Sequence, residues 1–254
     1  MKTFYWLLSV AAIFLCPDAL GQQTDSLQSG NGSSNRKKDK FYFILPAVLI
    51  TSGTIIMLDK DADEFFLSNF EVREERNENF VNFSNHLDDY LQHVPSATAF
   101  AVSLAGVRGK HDLPNQAALY VKSELLMLAV VYSLKYSVGE ARPDTGKKNS
   151  FPSGHTAQAF AAATFLSKEY GDKSIWISVG AYTVATTVGV FRVLNNRHWI
   201  SDVFVGAGIG VLSTQIVFRT HKNHWGKHSK NRGSLRIDPF SAYGSNGFSL
   251  RYKF

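Results

Sequence analysis

The sequence predicts an all-α protein, a helical bundle of about six core helices, with a small β-hairpin at its C-terminal end. Three observations predict it. Long apolar runs stand out at 41–58, 175–194 and 199–220, the last two set apart by a short polar break. In the charged stretch between the first two, Phe80, Phe83, Leu87, Tyr90, Leu91 and Val94 recur at helical intervals. Strand-like alternation is confined to the end, where Phe248, Leu250, Tyr252 and Phe254 alternate with Ser249, Arg251 and Lys253.

The elements follow in order. Lys2, the apolar run Phe4 to Leu15, and then Pro17, Ala19 and Gly21 read as a secretory signal peptide over 1–21, cleaved after Gly21. The alternatives are an uncleaved anchor, or lipid attachment at Cys16, where Leu15 stands in place of the small residue wanted. Residues 22–40 are rich in Gln, Ser, Gly and Asn and end in Arg36-Lys37-Lys38-Asp39-Lys40, which reads as a flexible linker. A helical domain spans 41–220. Its first helix, Phe41 to Leu58, carries no charge. Asp59 to Pro95 reads as an amphipathic helix that the proline ends. Helices follow at Ala97–Val107, Gln116–Val138, Gly154–Tyr170, Ile175–Leu194 and Trp199–Thr220. Residues 221–254 form a basic tail with the hairpin, turning at Gly244 to Gly247.

Composition bounds the rest. The 254 residues suffice for one sizeable domain. A net charge of +6 suits phosphates, anionic lipids or nucleic acid without choosing among them. The only cysteine, Cys16, lies in the signal segment, so the mature chain has no disulfide, thiol nucleophile or Cys-bound zinc. Mean hydropathy is −0.11, low for a chain made mainly of membrane spans. The runs at 41–58, 175–191 and 203–218 approach the about 20 residues a span needs. The helix at 97–107 is too short, and Lys122 and Glu124 interrupt the one at 116–138. Gly206-x3-Gly210 permits close helix approach, in a membrane pair or in a soluble bundle alike. Topology cues conflict: a cleaved signal with three spans puts Lys135 in the cytoplasm, whereas the basic cluster at 36–40 favours an inside N-terminus. A bundle in the periplasm, or one dipping into a single leaflet, removes the conflict. A polytopic protein with a periplasm-facing site is the alternative.

Three blocks carry the chemistry: Lys135-x6-Arg142-Pro143, Phe151-Pro152-Ser153-Gly154-His155 and Arg192-x5-His198-x3-Asp202. His198 and Asp202 are one helical turn apart, so the carboxylate can fix the imidazole tautomer and leave the other nitrogen nucleophilic. Alternatively Asp202, with Ser201, only caps the last helix. His155 sits where a helix begins, a place that attracts an anion, and can hand a proton to a leaving alkoxide. Ser153 adds a hydroxyl, and Gly154 lets backbone approach closely. Lys135, Arg142 and Arg192 supply cations for phosphate oxygens. Each block alone is weak; their order and joint chemistry need one explanation.

These residues resemble the signature of the type 2 phosphatidic acid phosphatase (PAP2) superfamily, similar to Lys-x6-Arg-Pro, Pro-Ser-Gly-His and Ser-Arg-x5-His-x3-Asp. Phe191 departs from it, standing where the pattern has serine. The resemblance covers roughly 41–220. It implies a helical-bundle core and a phosphohistidine mechanism. His198 is then the nucleophile, oriented by Asp202, and His155 the proton carrier. Lys135, Arg142, Ser153, Gly154 and Arg192 hold the phosphoryl group, and no metal or other cofactor is called for. The stretches 149–157 and 195–199 look like the bacterial cell-envelope branch, which includes phosphatases of lipid A (at the 4′ position), phosphatidylglycerophosphate and undecaprenyl pyrophosphate. The resemblance thus implies an exported, membrane-associated or integral enzyme that faces the periplasm. Its partners are a lipid phosphate and a membrane surface or bilayer, not nucleic acid; oligomeric state stays open. The Phe-rich segment at 65–94 serves either as a lipid-facing wall or as core. Two rivals share the constellation: a vanadium-dependent haloperoxidase, since vanadate occupies a phosphate site, and a non-catalytic envelope binding protein.

Overall fold

The structure is a computed structural model that describes residues 35–58, 68–222, 234–242 and 245–253. The expected signal peptide and the first part of the expected linker lie outside the described residues, as do 59–67. The chain divides after His221 into a helical unit and a smaller unit.

The helical unit opens with α1 (Asn35–Leu58), which begins inside the stretch expected to be linker. Arg and Lys are strong helix formers, so the polarity of 36–40 does not prevent a helix. Where one helix was expected to run to Pro95, the described part of the segment holds two helices and the start of a third. Helix α2 (Asn69–Asn79) starts at Ser68, whose hydroxyl accepts from the Glu71 N–H at 3.0 Å. It stops where Asn79 and Asn85 bond backbone groups: Asn79 Nδ2 donates to the Glu75 carbonyl, and Asn85 Oδ1 accepts from the Leu87 N–H. A short helix α3 (Leu87–Leu91) follows. Pro95 then sits in the first turn of α4 (Val94–Leu104), where its missing N–H costs nothing. Pro95 starts a helix rather than ending one.

The remaining helices match the apolar runs closely. Helix α5 (Leu113–Val138) ends at Gly139, which takes a left-handed φ of 64° and returns its N–H to the Lys135 carbonyl. Helix α6 (Gly154–Tyr170) is capped by Ser153, α7 (Ile175–Leu194) by Ser174, and α8 (Ile200–Thr220) follows Trp199.

Helix α8 is buried along almost its whole length and packs against α1, α5 and α6, while α6 packs on α7. Backbone contact makes this possible. A Cβ on Gly206 would strike the Ser153 carbonyl, and one on Gly210 the Ala157 carbonyl of α6. On the opposite face, a Cβ on Gly208 would lie 2.9 Å from the Pro46 carbonyl of α1. The small-residue spacing therefore serves the centre of the bundle, and it holds the first turns of α6 and α8 side by side.

Among the described residues, three helices are long and apolar enough to cross a membrane: α5, α7 and α8. Helix α5 qualifies although its charges argued against it, and the shorter described apolar run of α1 does not. Helix α5 does so by length and composition, and one of its two interrupting charges is also turned inward. Glu124 of α5 turns inward and accepts from Gln158 of α6 at 2.8 Å. The outer face is left to Val121, Leu125, Leu128, Tyr132 and Tyr136, all exposed.

In the smaller unit, β1 (Ser234–Ala242) pairs antiparallel with β2 (Ser245–Lys253). The connection is residues 243–244. Gly247, expected in the turn, lies in β2 opposite Phe240.

Candidate active site

The three sequence blocks converge where the end of α5, the start of α6 and the α7–α8 connection meet. His198 and Asp202 form the deepest part. His198 Nδ1 lies 3.1 Å from Asp202 Oδ2, and both side chains are buried. Asp202 Oδ2 also accepts from the Ser150 hydroxyl at 2.5 Å and from the Trp199 N–H at 3.0 Å. Asp202 thus caps α8 and orients His198 at once, so the two readings of this residue are one. Burial is the larger influence on His198 and outweighs the opposing pull of Asp202, bringing its pKa down to about 4. The ring is neutral at physiological pH, with Nδ1 engaged by Asp202 and Nε2 left for chemistry.

The connection that carries His198 is firmly held. The Arg197 and His198 N–H groups both return to the Arg192 carbonyl at the end of α7. Trp199 Nε1 donates to the Ala141 carbonyl at 2.8 Å, tying this connection to the segment that follows α5.

The cations divide their work. Lys135 Nζ donates to three carbonyls, those of Asn149, Ser150 and Pro152, at 2.9, 3.1 and 2.7 Å. Its three protons are all engaged in shaping the loop before α6. Arg142 Nε donates to Asn149 Oδ1 at 2.8 Å. Burial lowers its pKa, and the nearby charge of Arg192 lowers it further. Two guanidiniums held near each other favour an anion between them. Arg192 is 7% exposed, and its Nε has no partner among the described residues. A buried, unpaired guanidinium N–H at this position suits a phosphate oxygen.

Ser153 and Gly154 open α6 beside these groups. Ser153 Oγ accepts from the Thr156 hydroxyl at 2.9 Å, so its own proton remains to be donated. A Cβ on Gly154 would meet nothing closer than Val131, at 3.9 Å. The fold itself leaves that space open, which fits close approach of a ligand to the backbone.

His155 faces a different environment. Its Nε2 lies 2.8 Å from Asp89 Oδ1. Burial and then Arg192 lower its pKa, and Asp89 partly restores it. Asp88, the neighbouring residue on α3, accepts from Arg192 NH1 at 2.6 Å. Asp89 is 3.8 Å from the same nitrogen. A cavity of about 270 Å³ opens here, lined by His86, Asp88, Asp89, His155, Arg192 and Arg197 among others. It reaches Arg192 and His155 but not His198.

All eight expected site residues therefore fall in one cluster. Asp88, Asp89, Asn149 and Ser150 belong with them and were not singled out. Asn149 and Ser150 directly precede the second block and had a signal there. The acidic pair on α3 had none, because about a hundred residues separate it from Arg192. Phe191, the departure from the pattern, packs on Phe83 with ring centres 5.8 Å apart and so helps hold the segment leading to α3.

A buried, oriented histidine beside guanidiniums in a helical bundle is an arrangement suited to a phosphate ester. Residues 116–225 match the model of the PAP2 superfamily. It is 42% identical over 148 residues to a lipid A 1-phosphatase of Porphyromonas gingivalis, covering 57% of this chain and 33% of that protein. It is 30% identical over 119 residues to lipid phosphate phosphatase 1 of Arabidopsis thaliana, covering 40% and 36%. The chain thus spans about a third of the length of these two relatives. Among solved structures, Aquifex aeolicus LpxE aligns with a TM-score of 0.47 at 25% identity, over 62% of this chain and 98% of that one. A phosphatidylglycerolphosphate phosphatase from Bacillus subtilis aligns with a TM-score of 0.46 at 19% identity, over 71% and 98%.

Proposed function

We propose that this protein is a metal-independent phosphatase that hydrolyses a lipid phosphate monoester of the bacterial cell envelope through a phosphohistidine intermediate. The observation that carries the reading is the buried, neutral His198, oriented by Asp202, with the charges of Arg192 and Lys135 near it.

In the first step His198 Nε2 attacks phosphorus. An N–P bond forms as the P–O bond to the lipid alkoxide breaks, and His155 gives its proton to the departing oxygen. Asp202 stabilises the charge that develops on His198, while the guanidiniums and the start of α6 hold the phosphoryl oxygens. In the second step His155 takes a proton from water. The resulting hydroxide attacks phosphorus, the N–P bond breaks, and inorganic phosphate leaves with His198 restored. Lys135 acts from behind, holding the 149–152 loop that carries Ser150 to Asp202.

An acylated substrate suits the surroundings. Leu87 and Tyr90 are exposed beside Asp88 and Asp89, and the outer face of α5 is apolar. Phe80 and Phe83 instead pack onto the core, so the Phe-rich segment divides between the two roles weighed for it. The three helices capable of crossing a membrane, and the lipid phosphatases among the relatives, support membrane association. A site facing the periplasm and export by residues 1–21 complete the proposal. The Porphyromonas gingivalis relative directs attention to the 1-phosphate of lipid A rather than the 4′ position.

The test is phosphate release from a panel in the presence of EDTA: lipid A, phosphatidylglycerophosphate, phosphatidate, undecaprenyl pyrophosphate and a water-soluble ester. The expected result is EDTA-resistant hydrolysis that favours a lipid, with lipid A losing its 1-phosphate. Equal or better turnover of the soluble ester would overturn the lipid assignment, and bromide oxidation on adding vanadate and peroxide would favour the haloperoxidase reading.

A further inference from the structure

Two carboxyl groups meet behind the nucleophile. Asp202 is fully buried, and its Oδ2 is occupied by His198, Ser150 and Trp199. Its Oδ1 is buried and finds no N–H or O–H donor among the described residues. Glu140 Oε2 is in the same condition. The two residues are brought together by Ser150, whose N–H donates to the Glu140 carbonyl and whose hydroxyl donates to Asp202, and the Glu140 carboxyl interacts with that of Asp202. Two ionised carboxylates cannot bond, since both are acceptors only. One proton between them satisfies both orphaned oxygens at once.

We propose that Glu140 is a positioning residue held as the neutral acid, donating its proton to Asp202 Oδ1 and so completing the fixation of the His198–Asp202 pair. The role in phosphoryl transfer rests on the phosphohistidine reading above; the shared proton does not.

The surroundings say which carboxyl keeps the proton. Asp202 accepts from Ser150 and the Trp199 N–H, and Lys135 and Arg142 exert their charge on it. His198 adds a further partner, and Arg192 lies near the pair. These groups, from α5, the loop before α6, and α7 with its connection to α8, surround Asp202 with positive charge and with N–H and O–H donors. Glu140 faces burial and then the charge of Asp202, which together push it up to about 8. Its backbone is well placed: it follows the left-handed Gly139 directly, and its carbonyl accepts from the Ser150 N–H at 2.9 Å. The same serine bonds Asp202 through its hydroxyl.

The chemical consequence is an alkaline limit. Below about pH 8 the pair shares one proton and Asp202 is a fixed, singly charged acceptor. Above it the second carboxyl ionises, the two groups repel, and the orientation of His198 is lost.

Two measurements test this on the full chain in detergent. The first is thermal unfolding of wild type and Glu140→Gln between pH 5 and 9, which needs no substrate. The folded-state pKa of Glu140 is raised from 4.5 to about 8, so its stabilisation is fully present below 4.5 and is lost as the pH rises through 8. Glutamine cannot titrate. The difference in Tm between the variant and wild type should therefore shift in favour of the variant up to about pH 8 and then level off. A difference that stays constant with pH overturns the shared proton.

The second is kcat against pH on the best substrate. Wild type should decline above about pH 8, and Glu140→Gln, which keeps an N–H donor, should lose that decline while retaining activity at neutral pH. Glu140→Ala should be about tenfold slower in kcat. An unchanged alkaline limb in Glu140→Gln overturns the positioning role alone. A wild type inactive on every phosphate ester overturns the phosphatase reading, and the unfolding measurement still decides the shared proton.

Discussion

The two histidines of the site live in contrasting halves. His198 is buried, and its partner Asp202 is engaged by Ser150 and the Trp199 N–H as well as by the ring itself. His155 is one-third exposed and shares Asp89 with solvent beside an open cavity. The difference fits the division of labour proposed for them. A nucleophile must be neutral and aimed before substrate arrives, so it gains from burial and fixed acceptors. A proton carrier must reach a departing alcohol and then water, so it needs an open side. The contrast extends to the cations. Lys135 is committed to carbonyls in the closed half, whereas Arg192 bridges the halves with Asp88 on one nitrogen and a buried Nε that has no partner among the described residues.

The largest effect should come from breaking the closed half. Asp202→Asn retains the volume but replaces an acceptor with a donor facing the Trp199 N–H and His198. The favoured tautomer is lost, and kcat should fall by about 10³–10⁴-fold while the protein remains folded. A loss under about tenfold, measured by phosphate release, would mean that Asp202 is chiefly a helix cap.

The closed half was legible because its information is local. His198 and Asp202 are four residues apart at a helix start, and Ser153-Gly154-His155 opens the next apolar run. Helices α6 and α7 were legible for the same reason, since periodicity and punctuation coincide at Gly154, Gly171 and Leu194. The open half was not legible. Asp88 and Asp89 lie in a stretch whose apolar spacing suggests one long helix, yet its Asn and Ser residues break that helix and leave a five-residue turn, α3, aimed at Arg192 and His155. Pro95 misled in the same segment, because a proline suits the first turn of a helix as well as the position after its end. Glu140 was hidden differently. It lies between Lys135 and Arg142 of a recognised block, but nothing in its neighbours announces a buried carboxyl partner.

A smaller effect should sharpen the open half. Asp89 lies on His155 Nε2 and close to Arg192, so its negative charge competes with an incoming phosphate for both. Asp89→Asn keeps a polar side chain and removes that charge. Inhibition by inorganic vanadate should strengthen by about three- to tenfold at low salt, less at high salt, as expected for a partly exposed charge. An unchanged inhibition constant would show that Asp89 does not face the phosphate.

The account turns on which histidine bonds to phosphorus. The direct measurement is rapid alkaline quench of the enzyme during turnover of a phosphate-labelled substrate, followed by peptide mapping, since phosphohistidine survives base and is lost in acid. The account predicts label on the peptide that contains His198, and none when His198→Ala is used. Label on the His155 peptide, or on any other residue, would contradict it.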